Sequence, residues 1–310
     1  VIVCVTLNPA LDKTVVVPAL RRGEILRANE TLAVAGGKGL NVARVVKRLG
    51  GAVECAGFLG GYIGQLVAAL AQREGLPGTW TWIEGETRTC LIIVAAQGGE
   101  PMTIYELGPA VGADDWDRLR ADVVRVAAAA TAVCLSGSVP PGTTPEHFVA
   151  LLRRLKRART QIWVDTSGAA LKAALDVPKI AIKVNHSEAG ELVGRAVEQA
   201  GDALLAAREI HRHTRGDVAI TLGARGAVLL NTSGSWYVQP PSVRAVSAVG
   251  SGDAFLAGLV MALIQGRPEP EALRKAAAVG AANALSVGGG QVDLDRVQAI
   301  MSRTTVHHIT

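Results

Sequence analysis

Apolar positions recur along the chain with two different periods, and they divide it into two kinds of segment. Residues 1–7 form a β-branched apolar run broken by Asn8-Pro9, the pattern of a strand buried on both faces. Residues 40–49 carry apolar side chains at helical spacing and stop at Gly50-Gly51. A strand over 52–58 and a helix over 65–74 follow. Beyond residue 115 the alternation is regular. Helices are predicted over 116–130, 145–157, 187–193 and 203–214, with strands over 132–136, 162–165, 180–185 and 218–222. A hairpin over 227–231 and 236–239 precedes two closing helices, 253–265 and 270–285, and His307-His308 reads as a frayed terminus. Strands alternating with helices predict a parallel sheet covered on both faces. Residues 13–17, 31–34, 87–96 and 102–106 break the rule, being strand-like with no helices between paired runs. They are predicted to stand off the sheet as a flap. The chain therefore reads as one α/β domain over 1–310, with lid strands inserted at about 13–35 and 87–107.

Composition narrows the function. Hydrophobic residues make up 49% and charged residues 19%, which supports a large core and excludes general disorder. Five Trp, three Tyr and three Phe leave few aromatics for a platform that stacks several bases or sugars, which argues against one. A net charge of +5 is too small to point to nucleic acid but suits anionic small molecules. The densest basic run, Arg153, Arg154, Lys156, Arg157 and Arg159, is threaded by leucines at helical spacing and reads as a solvated helix face. The longest apolar runs, 126–135 and 254–264, fall short of the roughly 20 residues that span a bilayer. Cys4, Cys55, Cys90 and Cys134 lie among apolar residues with no C-x-x-C spacing, as buried free thiols do. A cytoplasmic protein with no membrane or nucleic-acid partner is expected. His211 and His213, two apart on a helix, point different ways and do not form a metal site.

Two glycine clusters carry the candidate chemistry. Val249-Gly250-Ser251-Gly252-Asp253 runs directly into an apolar helix. Its glycines allow a tight turn that aims several N–H groups at one spot, and the helix adds the positive end of its dipole, which together suit a phosphate. Asp253 is either an ordinary N-cap or a general base kept ionised by the dipole. Gly36-Gly37-Lys38-Gly39-Leu40-Asn41-Val42 also opens a helix. It lacks the spacer of a Walker A loop, and Val42 stands where a dinucleotide fingerprint has Gly or Ala. Lys38 and Asn41 could bind a hydroxylated or anionic ligand. Asp12 follows the first strand, where open α/β sheets place ligand groups, and could equally be a turn residue. Arg88 in the flap, residues 136–142 and the turn 222–227 each read either as ligand contacts or as ordinary surface and loop.

Taken in order, these motifs resemble the ribokinase/phosphofructokinase-B family of sugar kinases. Thr6-Leu7-Asn8-Pro9-Ala10-Leu11-Asp12, Gly57-Phe58-Leu59-Gly60-Gly61, Gly85-Glu86-Thr87-Arg88 and Ser136-Gly137-Ser138 extend the resemblance, which is nearest the hexose-phosphate branch. It implies a ribokinase-like three-layer α/β/α fold with a mostly parallel sheet and a small β lid. It implies Asp253 as catalytic base and Gly250, Ser251 and Gly252 as an anion hole. Asp12, Gly36, Gly37 and Asn41 would hold sugar hydroxyls, while Lys38, Arg27 and Arg88, helped by Ser138, would meet a phosphate already on the sugar. Lys183 and Asn185 would face the ATP phosphates, with Thr221, Gly223 and Gly226 along the nucleotide and Asn283 near its base. Glu188 would organise Mg2+ through water, and K+ is a further candidate ion. The family's K-P-N-x-x-E loop has Val184 in place of its proline, which predicts a looser loop here. The expected reaction is ATP-dependent phosphorylation of a phosphorylated ketohexose. Fructose 1-phosphate comes first, with tagatose 6-phosphate and fructose 6-phosphate as alternatives. A non-catalytic sensor of sugar phosphate has no use for Asp253. A nicotinamide oxidoreductase would need G-x-G-x-x-G after the first strand. Alternating apolar Val15, Val17, Leu91 and Ile93 on the flap predict a homodimer through the lid.

Overall fold

The computed structural model describes every residue except Arg159, so the last cation of the basic run lies outside the described residues. In chain order the elements are β1 (Ile2–Thr6), β2 (Ala10–Val17), β3 (Glu30–Gly36), α1 (Lys38–Arg48), β4 (Val53–Gly60), α2 (Gly61–Arg73), β5 (Gly78–Ile83), β6 (Arg88–Ala95) and β7 (Met102–Tyr105). They continue as α3 (Ala113–Ala127), β8 (Ala132–Ser136), α4 (Pro145–Leu155), β9 (Gln161–Asp165), α5 (Gly168–Ala174), β10 (Ala181–Asn185), α6 (His186–Val193), α7 (Ala200–Thr214) and β11 (Val218–Thr221). Last come β12 (Ala227–Asn231), β13 (Gly234–Gln239), α8 (Ser251–Ile264), α9 (Glu269–Asn283), α10 (Leu294–Met301) and β14 (Thr305–His308).

The main sheet runs β14-β13-β12-β11-β10-β9-β8-β1-β4-β5. From β11 to β5 every pairing is parallel, and β12, β13 and β14 add an antiparallel edge. Alternate residues of β1 serve opposite cores: Ile2 and Cys4 pack with α1, α8 and α9, while Val3 and Val5 pack with α3 and α4. The result is the expected three layers. All five residues of β1 are buried, which explains its unbroken apolar run. The chain builds outward from β1 in both directions, first to β4 and β5, then to β8 and beyond. Such a reversal leaves a crevice at the carboxyl ends of the strands, where open α/β sheets bind ligands.

Four elements escape the sequence pattern. Strand β5, Gly-Thr-Trp-Thr-Trp-Ile, alternates small polar and large side chains rather than forming an apolar run. Helix α5 is only seven residues long. Helix α10 and strand β14 follow the last strong motif. His307 and His308 are not frayed: they pair with Tyr237 and Trp236 of β13, and the His308 ring stands edge-on to Trp236. Among the basic run, Arg153, Arg154 and Arg157 are exposed while Leu151, Leu152 and Leu155 are buried, as a solvated helix face requires. The four cysteines are buried and free. Among the described residues no helix is long and apolar enough to cross a membrane.

The flap is a separate sheet ordered β3-β2-β6-β7. Asp12, Cys90 and Tyr105 lie level across one face. Val15, Leu91 and Ile93 lie on the other, half-buried, beside exposed Met102 and Ile104. Val17, expected to be exposed with them, is only 3% exposed.

Candidate active site

A cavity of about 840 Å³ opens between the lid and the carboxyl ends of β1, β8, β9, β10 and β11. It gathers Asp12, Gly37, Lys38, Asn41, Arg88, Ser138, Lys183, Asn185, Glu188, Thr221, Gly223, Gly226, Gly250, Ser251, Gly252 and Asp253. Three predicted residues are not in its lining. Arg27 is exposed on the β2–β3 connection. Gly36 stands behind Asp12, and a Cβ there would strike the Asp12 carboxylate, so its contribution is space. Asn283 is fully buried behind the lining residues Gly280, Ala281 and Ala284. Its Nδ2 donates to Val249 O (2.8 Å) and Ser251 Oγ (3.3 Å), and its Oδ1 accepts from the N–H groups of Gly290 (2.9 Å) and Gln291 (3.1 Å).

Helix α8 starts from Gly250, whose φ of +77° is a left-handed conformation that glycine adopts without strain. Its side is apolar all round and it is buried between α1 and α9. Asp253 sits in its first turn but does not cap it. Its carboxylate instead accepts Asn41 Nδ2 at 2.8 Å, which removes the N-cap reading. The Ser251 N–H turns back to Ala248 O at 3.2 Å, whereas the N–H groups of Gly252 and Asp253 have no protein acceptor among the described residues. The Gly250 N–H likewise has no protein acceptor among the described residues.

Lys38 occupies the first position of α1, where a cation opposes the helix dipole. Carboxylates across the cavity offset this: Lys38 Nζ lies 2.9 Å from Asp165 Oδ1 and 3.7 Å from Glu188 Oε1. Lys183 Nζ lies 2.6 Å from the other oxygen, Asp165 Oδ2, and 2.7 Å from where a Cβ on Gly252 would stand. Asp165 is fully buried at the end of β9, and no motif singled it out. Its position at the carboxyl end of a parallel strand was the one signal available.

Charge tuning follows from this network. Burial pushes the Asp165 carboxyl up, but Lys183 and Lys38 outweigh it and hold it below its ordinary range. Burial disfavours the Lys38 charge, yet Asp165, Glu188 and Asp253 prevail and raise its pKa. Asp253 is raised from 3.8 to about 6, first by burial and then by Asp165, with Lys183, Lys38 and the Asn41 hydrogen bond opposing. Burial also raises Asp12, against Arg88 and Arg44.

Asn185 and Glu188 close a capping box on α6. Asn185 Oδ1 accepts the Glu188 N–H (2.9 Å) and Glu188 Oε2 accepts the Asn185 N–H (2.8 Å). Val184 is buried in β10, level with Ile220 of β11, directly before this capping box. Glu188 Oε1 remains turned toward the cavity. Mg2+ is ordinarily held by one or two carboxylates plus waters and phosphates rather than by a protein cage, and this donor set fits that demand. Arg88 donates to Asn8 O (3.0 and 3.2 Å) and Glu106 O (3.2 Å), and no carboxylate pairs with it among the described residues.

A helix start with main-chain donors, a buried carboxylate beside it and two lysines across a shared aspartate define a phosphotransferase site. The comparisons agree: residues 5–295 match the family model described as pfkB family carbohydrate kinase, and the chain belongs to that family. It is 34% identical to the 1-phosphofructokinase of Escherichia coli K12, over 96% of each chain. Its backbone superposes on Escherichia coli phosphofructokinase-2 in complex with potassium with a TM-score of 0.92, at 30% identity over 98% of each chain. The fructose-6-phosphate complex of the same enzyme gives 0.89 at 29% identity, over 97% of this chain and 98% of that one. The protein is a sugar-phosphate kinase, with ATP as its co-substrate.

Proposed function

We propose that the protein transfers the γ-phosphoryl group of ATP to the 6-hydroxyl of fructose 1-phosphate, giving fructose 1,6-bisphosphate and ADP. The observation that carries the kinase chemistry is the buried Asp253 carboxylate at the start of α8. The match to a named 1-phosphofructokinase over 96% of both chains supports the substrate. Asp253 takes the proton of the attacking hydroxyl. The new bond forms between that oxygen and the γ-phosphorus as the β–γ bridging bond breaks and ADP leaves. The Gly252 and Asp253 N–H groups and Lys183 meet the charge on the transferring group, supplying the positioning and electrostatics on which phosphoryl transfer depends. A bound Mg2+, held through Glu188, would neutralise the phosphates of ATP. Asp12 and Asn41 hold sugar hydroxyls, while Lys38, Arg88 and Ser138 meet the 1-phosphate. Arg27 stays outside unless the lid moves. Thr221, Gly223 and Gly226 border the nucleotide.

The finer readings belong here too. One kinase domain over 1–310 places its lid over the sugar to exclude water. Two lids pair through the face carrying Leu91, Ile93, Met102 and Ile104, forming a homodimer of a cytoplasmic enzyme. K+ is a candidate ion because a similar enzyme was solved with it. Fructose 6-phosphate is the second reading of the substrate, favoured by the phosphofructokinase-2 likeness.

The test is ADP release from purified enzyme with fructose 1-phosphate, fructose 6-phosphate, tagatose 6-phosphate, ribose and adenosine. Highest kcat/KM on fructose 1-phosphate is expected. Preferred turnover of unphosphorylated ribose would overturn the phosphate roles of Lys38 and Arg88.

A further inference from the structure

Arg44 belongs to none of the motifs, yet it is 11% exposed and sits one turn beyond Asn41 on α1. All five of its N–H groups have acceptors. Nε donates to Glu74 Oε2, and Nη2 donates to Glu74 Oε1 (3.0 Å) and Ala35 O (2.8 Å). Nη1 donates to Asn41 Oδ1 (3.0 Å) and Gly289 O (3.3 Å). A guanidinium so fully engaged organises its neighbours rather than waiting for a ligand.

Its effect on Asn41 is directional. An asparagine amide can turn over, exchanging its donor and acceptor. Here a cation faces Oδ1, which obliges Nδ2 to face Asp253. The reversed amide would set two acceptors against each other at Asp253 and an NH2 against a guanidinium. The same arginine holds Ala35 O at the root of the lid, next to Gly36 and Asp12. Through Gly289 O it also holds the loop that Asn283 ties to the start of α8.

We propose that Arg44 is a positioning residue: clamped by Glu74, it fixes the Asn41 amide so that Nδ2 donates to Asp253, and it joins that orientation to the root of the lid. The proposal rests on Asp253 as the base. Asp253 is also faced by Asp165, Lys183 and Lys38, which do not touch Arg44, so the Arg44 effect is separable from theirs. Without Arg44 the amide turns freely, Asp253 loses a donor, and its carboxyl becomes harder to ionise.

The experiment compares Arg44→Met, Asn41→Ala, the double variant and Asp253→Asn, each full length, for kcat, KM for ATP and the pH profile of kcat. Arg44→Met is expected to lower kcat roughly 2–100-fold, within the coupling found between contacting residues. Its acid limb should move to higher pH, with KM for ATP unchanged. In the Asn41→Ala background it should have no further effect on kcat. Glu74→Gln, at the more exposed end of the clamp, should shift kcat and the acid limb the same way by less, and it serves if Arg44→Met does not fold. The proposal is overturned if Arg44→Met or Glu74→Gln lowers only thermal stability, or if the Arg44 and Asn41 effects multiply. If Asp253→Asn keeps turnover, the base assignment fails instead. If Asp253→Asn is inactive while Arg44→Met leaves the kcat profile unmoved, only the Arg44 proposal fails.

Discussion

Replacing Asp253 with asparagine should destroy activity and stabilise the protein. The folded state holds the Asp253 proton up to about pH 6, against an ordinary value of 3.8. Between those values the folded chain binds more protons than the unfolded chain, so stability falls as pH rises through the window. Above pH 6 the full penalty for ionising a buried carboxylate beside Asp165 is present, about 3 kcal/mol from the size of the shift. Asparagine removes the penalty and still accepts from Asn41 Nδ2, while Lys38 and Lys183 keep Asp165 as partner. For a domain of this size the melting temperature should rise roughly 3–6 °C at pH 7.5. Most of that gain should vanish at pH 4.5, where the wild-type carboxyl is already protonated. Differential scanning fluorimetry without ligands at the two pH values measures it, alongside ADP release, where loss of the base should cost ~10²–10⁴-fold in kcat. A lower melting temperature at pH 7.5, or a gain independent of pH, would refute the account of Asp253 as a strained anion.

Asp165→Asn should do the reverse to stability. It leaves Lys183 buried without its partner at a cost of about 3–5 kcal/mol, visible in urea unfolding, and should move the acid limb of kcat to lower pH because Asp253 loses a like charge. Glu188→Gln keeps the capping box, so thermal stability should hold while the Mg2+ concentration for half-maximal rate rises; an unchanged Mg2+ titration would remove Glu188 from that role. Ile104→Glu or Leu91→Glu should convert a dimer to monomer in sedimentation velocity at micromolar protein, and a monomeric wild type would end the lid-pairing proposal.

The layers and the lid were legible because each rests on a periodic pattern. The flap showed itself as strands without intervening helices, and β1 as a run buried on both faces. The glycine-led helix starts announced the site, since a positive φ at Gly250 limits which residue can stand there. What stayed hidden depends on distance in space. Asp165 ends an ordinary strand, and its importance comes from two lysines that approach from other strands and helices. Arg44 belongs to no motif, and its role shows only where Asn41, Glu74, Ala35 and Gly289 meet around it. Asn283 ties two loops through its amide, a role that shows only once Val249 and Gly290 meet it in space. Strand β14 was lost because an edge strand carries polar side chains such as His307 and His308.

The lid has a consequence for the order of folding. Its two central strands, β2 and β6, run parallel with Ala10 level with Arg88, yet β3, α1, β4, α2 and β5 lie between them in the chain. They cannot zip together as a hairpin does. Closing so long a loop costs entropy that local contacts do not offset, so β2 and β6 meet only after the body has brought their starting points together. The lid should therefore condense last and open first, with its amides exchanging hydrogen faster than those of β1 and β8. The part of the molecule that covers the sugar is thus also the part whose unfolding is nearest at hand.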